Sequence, residues 1–370
     1  MVLFVSVVYL RFEDTGISGK KLGLGDESKM IEFKEINLRA KAPDLTDGGR
    51  WKEVPLVQRI DPLTQKSTRL LTGVKLQPEN PPDLSELASL GGFCPFCDGT
   101  FEKVTYPFEP EVVAAGRLRR NRAAIVPNIM AYSGYSSVGI YDTSRHFLGL
   151  EDFTAELIFD AMCLMVEHGQ MVRKSRPDLV WSSISANYLP SSGSSVLHPH
   201  LQSSHDLEPM QMQRELSSGT QRYHRTNAGS YFDDLVAKEA DGPRFVGRTG
   251  SITWITPFAP RGFQEIWGVF GDCSDVNELT EDALRGLSDG LCRVLKYYKA
   301  GNFSAFNFSM AGGGPNASEH GFKLVFRILV RSNPDKYYRS DVTYFERLLD
   351  EPLIDVPPEE VAASVRSYFI

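Results

Sequence analysis

Residues 194–202 place the strongest constraint on how this chain can fold. If their sequence, SSVLHPHLQ, forms a strand, alternate side chains share a face, so His198, His200 and Gln202 point to one side. Pro199 lacks a backbone N–H, and the stretch therefore fits an edge strand or a strand end better than a central strand. Two of the chain's seven histidines lie here. We expect a functional site, although a chance pair on a polar strand face is the simpler alternative.

Composition excludes several classes of protein. The chain has 370 residues, enough for one large domain or two ordinary ones, and 42% of them are apolar. Its net charge of −7 argues against a surface that binds nucleic acid, because such surfaces are basic, but leaves room for a local phosphate pocket. The apolar residues 1–10 are too short to cross a bilayer and lack the basic start and cleavage site of a signal peptide. We predict a β-strand there and a cytoplasmic protein without membrane association.

Cys94 and Cys97 form a CxxC motif with glycines on both sides, and the other three cysteines are scattered. An odd number in this pattern is not a disulfide framework. A redox CxxC pair normally caps a helix, whereas residues 100–103 show no helical periodicity, which favours a metal-binding knuckle over a redox pair or two unrelated buried thiols. Zinc takes four ligands, and His146 and His198 are the candidates for the other two. A surface histidine is an equally good interpretation of His146.

The second histidine of the 194–202 stretch is the candidate nucleophile. If His198 binds a metal, His200 remains a free imidazole, which is a good nucleophile toward phosphorus near neutral pH. Its attack on an α-phosphate would give a nucleotide linked through a phosphoramidate bond. Ser195 and Gln202 would hydrogen-bond the phosphoryl oxygens. The metal would then be structural and would hold the histidine segment in register.

Hydrophobic periodicity predicts two similar halves, each with the order strand, strand, helix, strand. The predicted strands are residues 120–128, 137–141 and 181–187 in the first half and 251–256, 265–270 and 322–330 in the second. The predicted helices are residues 151–173 and 281–299. The repeated order suggests that one α+β unit is duplicated.

Taken together, the motifs resemble the galactose-1-phosphate uridylyltransferase family, a branch of the histidine-triad superfamily, from about Arg59 to the C-terminus. The residues that carry the resemblance are Arg59-x-Asp61-Pro62-Leu63-Thr64, the Cys94-Pro95-Phe96-Cys97 knuckle with Glu102 and Pro107, His146, and Asn187, Gly193 and Ser195 ahead of His198-Pro199-His200-x-Gln202. The resemblance implies an α+β fold of two histidine-triad-like repeats, each an antiparallel sheet with flanking helices. The implied boundaries are an N-terminal extension of unknown role at 1–58, a first repeat with knuckle and nucleophile at 59–225, and a second repeat at 226–370.

The same resemblance implies a reaction and a set of site residues. His200 would carry the nucleotidyl group, Gln202 would stabilise it, and one structural zinc ion would have His146 as its third ligand. The implied substrate-binding residues are Asn121, Asn187, Gly193 and Glu346. The implied reaction is ping-pong transfer of a nucleoside monophosphate from a nucleotide sugar of the UDP-glucose type to a sugar 1-phosphate of the galactose 1-phosphate type. The resemblance also implies a homodimer with the sugar site completed across its interface, and the net charge of −7 argues against nucleic acid as a partner.

This chain departs from the family's pattern mainly at positions that contact the sugar phosphate. The family's two basic phosphate-contacting residues fall near Val74 and Gln77, and its sugar-contacting lysine falls at Ser340, although Glu346 is kept. The histidine positions of a second metal site in some members are occupied by Gly313, Val325 and Arg327. No second metal is therefore predicted. Two alternatives remain: a phosphorylase of ADP-sugars or dinucleoside polyphosphates with inorganic phosphate as acceptor, and a zinc-stabilised nucleotide-binding module without turnover.

Overall fold

The structure is a computed structural model that describes residues 31–44, 46–71, 78–90, 92–335 and 340–370. Its strands, in chain order, are β1 (Lys34–Asp44), β2 (Arg50–Ile60), β3 (Ser67–Leu71), β4 (Leu118–Arg120), β5 (Ala123–Pro127), β6 (Tyr135–Ile140), β7 (Trp181–Tyr188), β8 (His200–Asp206), β9 (Phe245–Thr249), β10 (Ile252–Ile255), β11 (Ile266–Phe270), β12 (Ala305–Ala311), β13 (Val325–Arg331) and β14 (Leu353–Ile354). Its α-helices are α1 (Ser85–Ser89), α2 (Asp98–Val104), α3 (Ala155–Ser175), α4 (Gln211–Asn227), α5 (Tyr231–Ala240), α6 (Glu281–Ala300), α7 (Tyr344–Leu348) and α8 (Pro358–Arg366).

Ten of these strands form one sheet in the order β4-β5-β6-β8-β7-β12-β13-β11-β10-β9, and its neighbouring strands are antiparallel. From its outer edge inward, the first half has its first, second, third, fifth and fourth strands (β4-β5-β6-β8-β7). The second half has the same order (β9-β10-β11-β13-β12), and the two halves meet where β7 pairs with β12. Each half inserts its long helix, α3 or α6, between its third and fourth strands. This arrangement confirms the predicted α+β fold with two histidine-triad-like repeats. The repeat boundaries at 59–225 and 226–370 remain a prediction.

The described part of the N-terminal extension belongs to a second, four-stranded sheet. Its order is β1-β2-β3-β14, with β14 parallel to β3 and the other pairs antiparallel. The buried guanidinium of Arg59, near the end of β2, donates to Glu35 on β1 and to Glu359 on α8. These bonds tie the β1–β2 hairpin to the last helix of the chain.

The two faces of the ten-stranded sheet differ in chemistry, and this difference locates the site. On one face, alternate residues such as Ile184 of β7 and Phe306 of β12 are buried in the main hydrophobic core with side chains of α3 and α6. On the other face, the intervening residues of the same strands are polar and half-buried, as at Ser185, Asn187 and Asn307. A polar, half-open platform at the centre of the sheet is therefore available to a ligand.

The two long helices were predicted to within four residues at each end. Each begins after a threonine whose hydroxyl accepts an N–H of the first turn: Thr154 accepts from Leu157, and Thr280 accepts from Ala283. Both helices have acidic residues in the first turn and basic residues in the last, which favours the helix dipole. No helix among the described residues is long and apolar enough to cross a membrane.

Several local predictions are corrected by the structure. Residues 194–199 are not a strand: a 3-10 turn over Pro190–Ser192 ends at Gly193 (φ 97°), and β8 begins only at His200. Pro199 thus lies just before the strand, where its missing N–H removes no ladder bond. The expectation that no helix follows Cys97 is wrong, because α2 begins at Asp98. β9 and β12 were missed, although AFNFSMA in β12 alternates clearly, and the strand predicted at residues 1–10 lies outside the described residues.

Two buried histidines make stability depend on pH. His168 of α3 and His205 of β8 are buried, and neither ring has a hydrogen-bond partner among the described residues. Burial lowers the pKa of His168 to about 3 and the pKa of His205 to about 4. The unfolded state binds these protons near pH ~6.5, so stability is full above that pH and is lost as the pH falls. We expect the free energy of unfolding to fall by about 2 kcal/mol per histidine between about pH 7.5 and about pH 5.

Urea unfolding at the two pH values measures this effect. His168→Leu should reduce the fall in the free energy of unfolding between the two pH values by about 2 kcal/mol. This holds whether or not the substitution changes stability at neutral pH. Met162→Ala, at a fully buried residue of the same helix that has no titratable group, is the control and should lower stability equally at both pH values. Equal pH dependence in wild type and His168→Leu would contradict the assignment.

Candidate metal centre and active site

Four side chains converge at one end of the ten-stranded sheet. The ligand atoms of Cys94, Cys97, His146 and His198 all lie within 4.8 Å of one another. His198 Nδ1 is 3.6 Å from Cys94 Sγ and 3.5 Å from Cys97 Sγ, and His146 Nδ1 is 3.5 Å from Cys97 Sγ. Tetrahedral zinc bonds of about 2.3 Å to sulfur and about 2.1 Å to nitrogen place ligand atoms about 3.6 Å apart. The donor set and its spacing therefore fit one zinc ion, and the structure brings together the four predicted ligands.

The two thiols are positioned by the start of α2. Cys97 is the residue before this helix, and its carbonyl accepts from Phe101 N at 2.7 Å. The Thr100 hydroxyl donates to the carbonyls of Cys94 and Cys97 and closes the loop between them. Phe96 and Phe101 are buried against apolar residues of β5 and β6, which anchors the knuckle to the sheet.

His198 is oriented by a backbone group. Its ring is fully buried, and its Nε2 donates to the carbonyl oxygen of Asp142 at 2.9 Å. A carbonyl accepts only, so the proton lies on Nε2 and the lone pair of Nδ1 points toward the thiols. Burial lowers the pKa of His198 to about 4, which keeps the ring in the neutral form that binds a metal.

His200 begins β8 and carries the opposite tautomer. Its Nδ1 donates to the carbonyl of His198 at 2.8 Å, so the lone pair lies on Nε2. The ring centroid is 5.6 Å from that of Phe96, and the side chain is almost fully buried. Burial lowers the pKa of His200, which favours the neutral imidazole, the form that can act as a nucleophile.

Strand register brings further predicted residues to the same face as His200. Gln202 pairs with Ser185 across β8 and β7, and extending this antiparallel register by two residues sets Asn187 opposite His200. Gly193 and Ser195 lie in the exposed loop that leads into β8. An ideal Cβ on Gly193 would lie 4.0 Å from the Nδ2 of Asn187. The loop thus passes beside this amide.

Asn121 is not brought to His200. It lies in the turn between β4 and β5 with φ 52°, and its amide donates to Asp160 on α3 at 2.8 Å. Since α3 packs on the core face of the sheet, this amide lies on the side away from His200. Its implied contact with a nucleotide remains a prediction.

Glu346 lines a cavity of about 440 Å³ and a neighbouring one of about 210 Å³. Its carboxylate caps α7, because Oε2 accepts from the N–H and the hydroxyl of Thr343 at 2.7 and 2.8 Å, and Oε1 accepts from Leu353 N at 3.3 Å. Burial opposes ionisation, but the bonds from Thr343 prevail and lower the pKa of Glu346. Both oxygens of the Glu346 carboxylate thus already accept hydrogen bonds from groups of this chain.

Of the positions that depart from the family's pattern, Arg327 on β13 forms a salt bridge of 2.6 Å with the buried Glu265. Val74 and Gln77 lie outside the described residues.

Three residues that the sequence analysis missed connect the cavities to Asn187. They are Asn307 on β12, Arg331 at the end of β13, and Asp341. Asn307 Nδ2 donates to Asn187 Oδ1 at 2.6 Å, and Arg331 Nη1 donates to Asn307 Oδ1 at 2.7 Å. Arg331 in turn pairs with Asp341 through two bonds of 2.7 and 2.9 Å. The alternation Asn-x-Ser in β12 was the signal that could have revealed Asn307.

Solved structures share this fold. An ADP-glucose phosphorylase from Arabidopsis thaliana with bound ADP-glucose gives a TM-score of 0.65 at 17% identity and covers 84% of this chain and 98% of that one. A GalT-like protein of the same plant gives the same values. A uridylyltransferase gives 0.60 at 20% identity, with the same coverage. The chain therefore has the fold of the galactose-1-phosphate uridylyltransferase-like proteins of the histidine-triad superfamily, and the resemblance is confirmed at the level of the fold.

A relative found by sequence comparison shows the protein family of this chain. An uncharacterized protein of Archaeoglobus fulgidus is 31% identical over 333 residues, which cover 90% of this chain and 98% of that protein. The chain belongs to one protein family with this archaeal protein. No model of a known protein family matches the chain.

The metal centre predicts a metal content. We expect about one zinc ion per chain by elemental analysis, and Cys94→Ser should lower it severalfold, because a neutral hydroxyl replaces a thiolate ligand. Cys273→Ser is the matched control, since Cys273 is equally buried but bonds to Asp275 away from the cluster. Full zinc retention in Cys94→Ser would contradict the ligand set.

Proposed function

We propose that the protein is a nucleotidyl-transferring enzyme in which His200 carries the nucleotidyl group. The observation that carries this proposal is the pair of opposite tautomers in His198 and His200. His198 points Nδ1 toward the metal cluster. His200 instead donates its Nδ1 hydrogen to the backbone carbonyl of His198, so the lone pair of its Nε2 is free to attack a substrate. A zinc ion at the cluster would hold the segment rigidly.

The reaction that fits this geometry has two displacements at phosphorus. The Nε2 lone pair of His200 attacks the α-phosphorus of a nucleotide sugar, the bond to the bridging oxygen breaks, and a sugar 1-phosphate leaves. A phosphate oxygen of the acceptor then attacks the same phosphorus, the N–P bond breaks, and neutral His200 is regenerated. Gln202 and Asn187 supply amide N–H donors to the phosphoryl oxygens as charge shifts onto them.

For the acceptor, the leading candidate is a hexose 1-phosphate of the galactose 1-phosphate type, with UDP-glucose as donor. The resemblance also implies that the enzyme is a homodimer. A second candidate is phosphorolysis of a nucleotide sugar with inorganic phosphate as acceptor. The similar fold of the plant ADP-glucose phosphorylase supports this candidate.

Covalent labelling tests the proposal. Wild-type protein incubated with UDP-glucose or ADP-glucose labelled at the α-phosphate should acquire a label that is labile in acid and stable in base, as a phosphoramidate is. His200→Ala should acquire none, and His224→Ala, a histidine on α4 whose ring bonds to Gly229, should label like wild type. Release of the label by hexose 1-phosphate or by inorganic phosphate then identifies the acceptor. Tight nucleotide-sugar binding without any label would leave a binding module as the function.

A further inference from the structure

A series of hydrogen bonds crosses three strands and ends beside the nucleophile. It runs from Asp341 to Arg331 on β13, then to Asn307 on β12, and then to Asn187 on β7. Asn307 and Asn187 are direct partners in the antiparallel register, so their side chains share the polar face. The four side chains are at most half-exposed, so water competes with these bonds only weakly.

The direction of every bond in this series is determined by chemistry. The carboxylate of Asp341 only accepts and the guanidinium of Arg331 only donates, so the side of Asn307 that faces Arg331 must be its oxygen. The Nδ2 of Asn307 then faces Asn187 and also donates to the carbonyl of Ser192 at 3.0 Å. Asn187 must present its oxygen to Asn307, and its own Nδ2 is turned away, toward the Gly193 loop.

We infer that Asn307 and Arg331 are positioning residues that hold Asn187 with its N–H donors, rather than its oxygen, toward the α-phosphoryl group of the substrate. This inference rests on the proposed function of His200. A freely rotating asparagine offers an oxygen to the phosphate as readily as a nitrogen, and an oxygen would repel the charge that develops there. Because Arg331 is held by Asp341 and can only donate, it fixes the orientation of the Asn307 amide. The Asn307 amide in turn prevents Asn187 from turning its oxygen toward the phosphate.

A double-mutant cycle tests whether Asn307 acts through Asn187. The rate of His200 nucleotidylation is measured in single turnovers with labelled nucleotide sugar for Asn307→Ala, Asn187→Ala and the double variant. We expect losses of about 10-fold and about 100-fold for the single variants, with a smaller effect on substrate affinity than on rate. In the Asn187→Ala background, Asn307→Ala should cost less than about threefold. Multiplicative losses would overturn the inference.

Two further variants separate positioning from a general loss of stability. Asn307→Asp keeps the contact with Arg331 but sets an oxygen against Asn187, so it should react more slowly than Asn307→Ala despite its closer shape. Thr249→Val removes the buried acceptor of the Trp254 indole N–H at 2.7 Å, far from the site, and should lower the melting temperature without changing the rate. A faster reaction in Asn307→Asp than in Asn307→Ala, or a rate loss in Thr249→Val that matches its loss of stability, would also overturn the inference.

A readout that needs no turnover distinguishes this inference from the proposed function. In protein labelled with ¹⁵N-asparagine, the side-chain amide signal of Asn187, assigned by its absence in Asn187→Asp, should shift in both Asn307→Ala and Arg331→Lys. If wild type forms no covalent intermediate but this shift occurs, the proposed function fails while the series itself stands. An Asn187 signal that is unchanged in both variants overturns the inference whatever the activity.

Discussion

The hydrogen bond from His198 Nε2 to the carbonyl of Asp142 is the constraint on which the rest of the site depends. It selects the tautomer of a fully buried ring and turns Nδ1 toward Cys94 and Cys97. The backbone of His198 is thereby held at the point where its own carbonyl accepts from His200. One ring orientation thus links the knuckle, the start of β8 and the tautomer of His200.

The two halves of the ten-stranded sheet contribute different parts of the site. The first half carries the cysteine knuckle and His200. The second half contributes Asn307 and Arg331, which reach the first half because β12 pairs directly with β7. The apolar face under α3 and α6 holds both halves in one sheet, so the polar face does not have to supply stability. Its hydrogen-bonding groups are therefore available to orient one another and a ligand.

The four candidate metal ligands were predicted from the sequence, but one argument for them was wrong. Local spacing identifies only Cys94 and Cys97, because a CxxC motif keeps its two thiols close in any fold, whereas spacing alone did not establish His146 or His198 as ligands. The reasoning that excluded a helix after Cys97 failed, because the seven residues of α2 are too few to show a periodic pattern. Four ligand atoms nevertheless meet, with His146 supplied from a separate loop. The position of Asn121 was not predictable, since a turn residue with positive φ can point its amide to either face.

The sequence alone predicted an α+β chain with two similar halves and suggested the candidate site residues, because alternation and short motifs are local properties. Only the tertiary structure decided that Asn187 meets Asn307, 120 residues away, and that Glu346 is engaged in capping α7. The orientation of an amide depends on which donor or acceptor lies opposite, and that partner is set by strand pairing rather than by neighbouring residues. For this reason the residue proposed as the nucleophile could be suggested from the sequence, whereas the residue proposed to orient Asn187 could not.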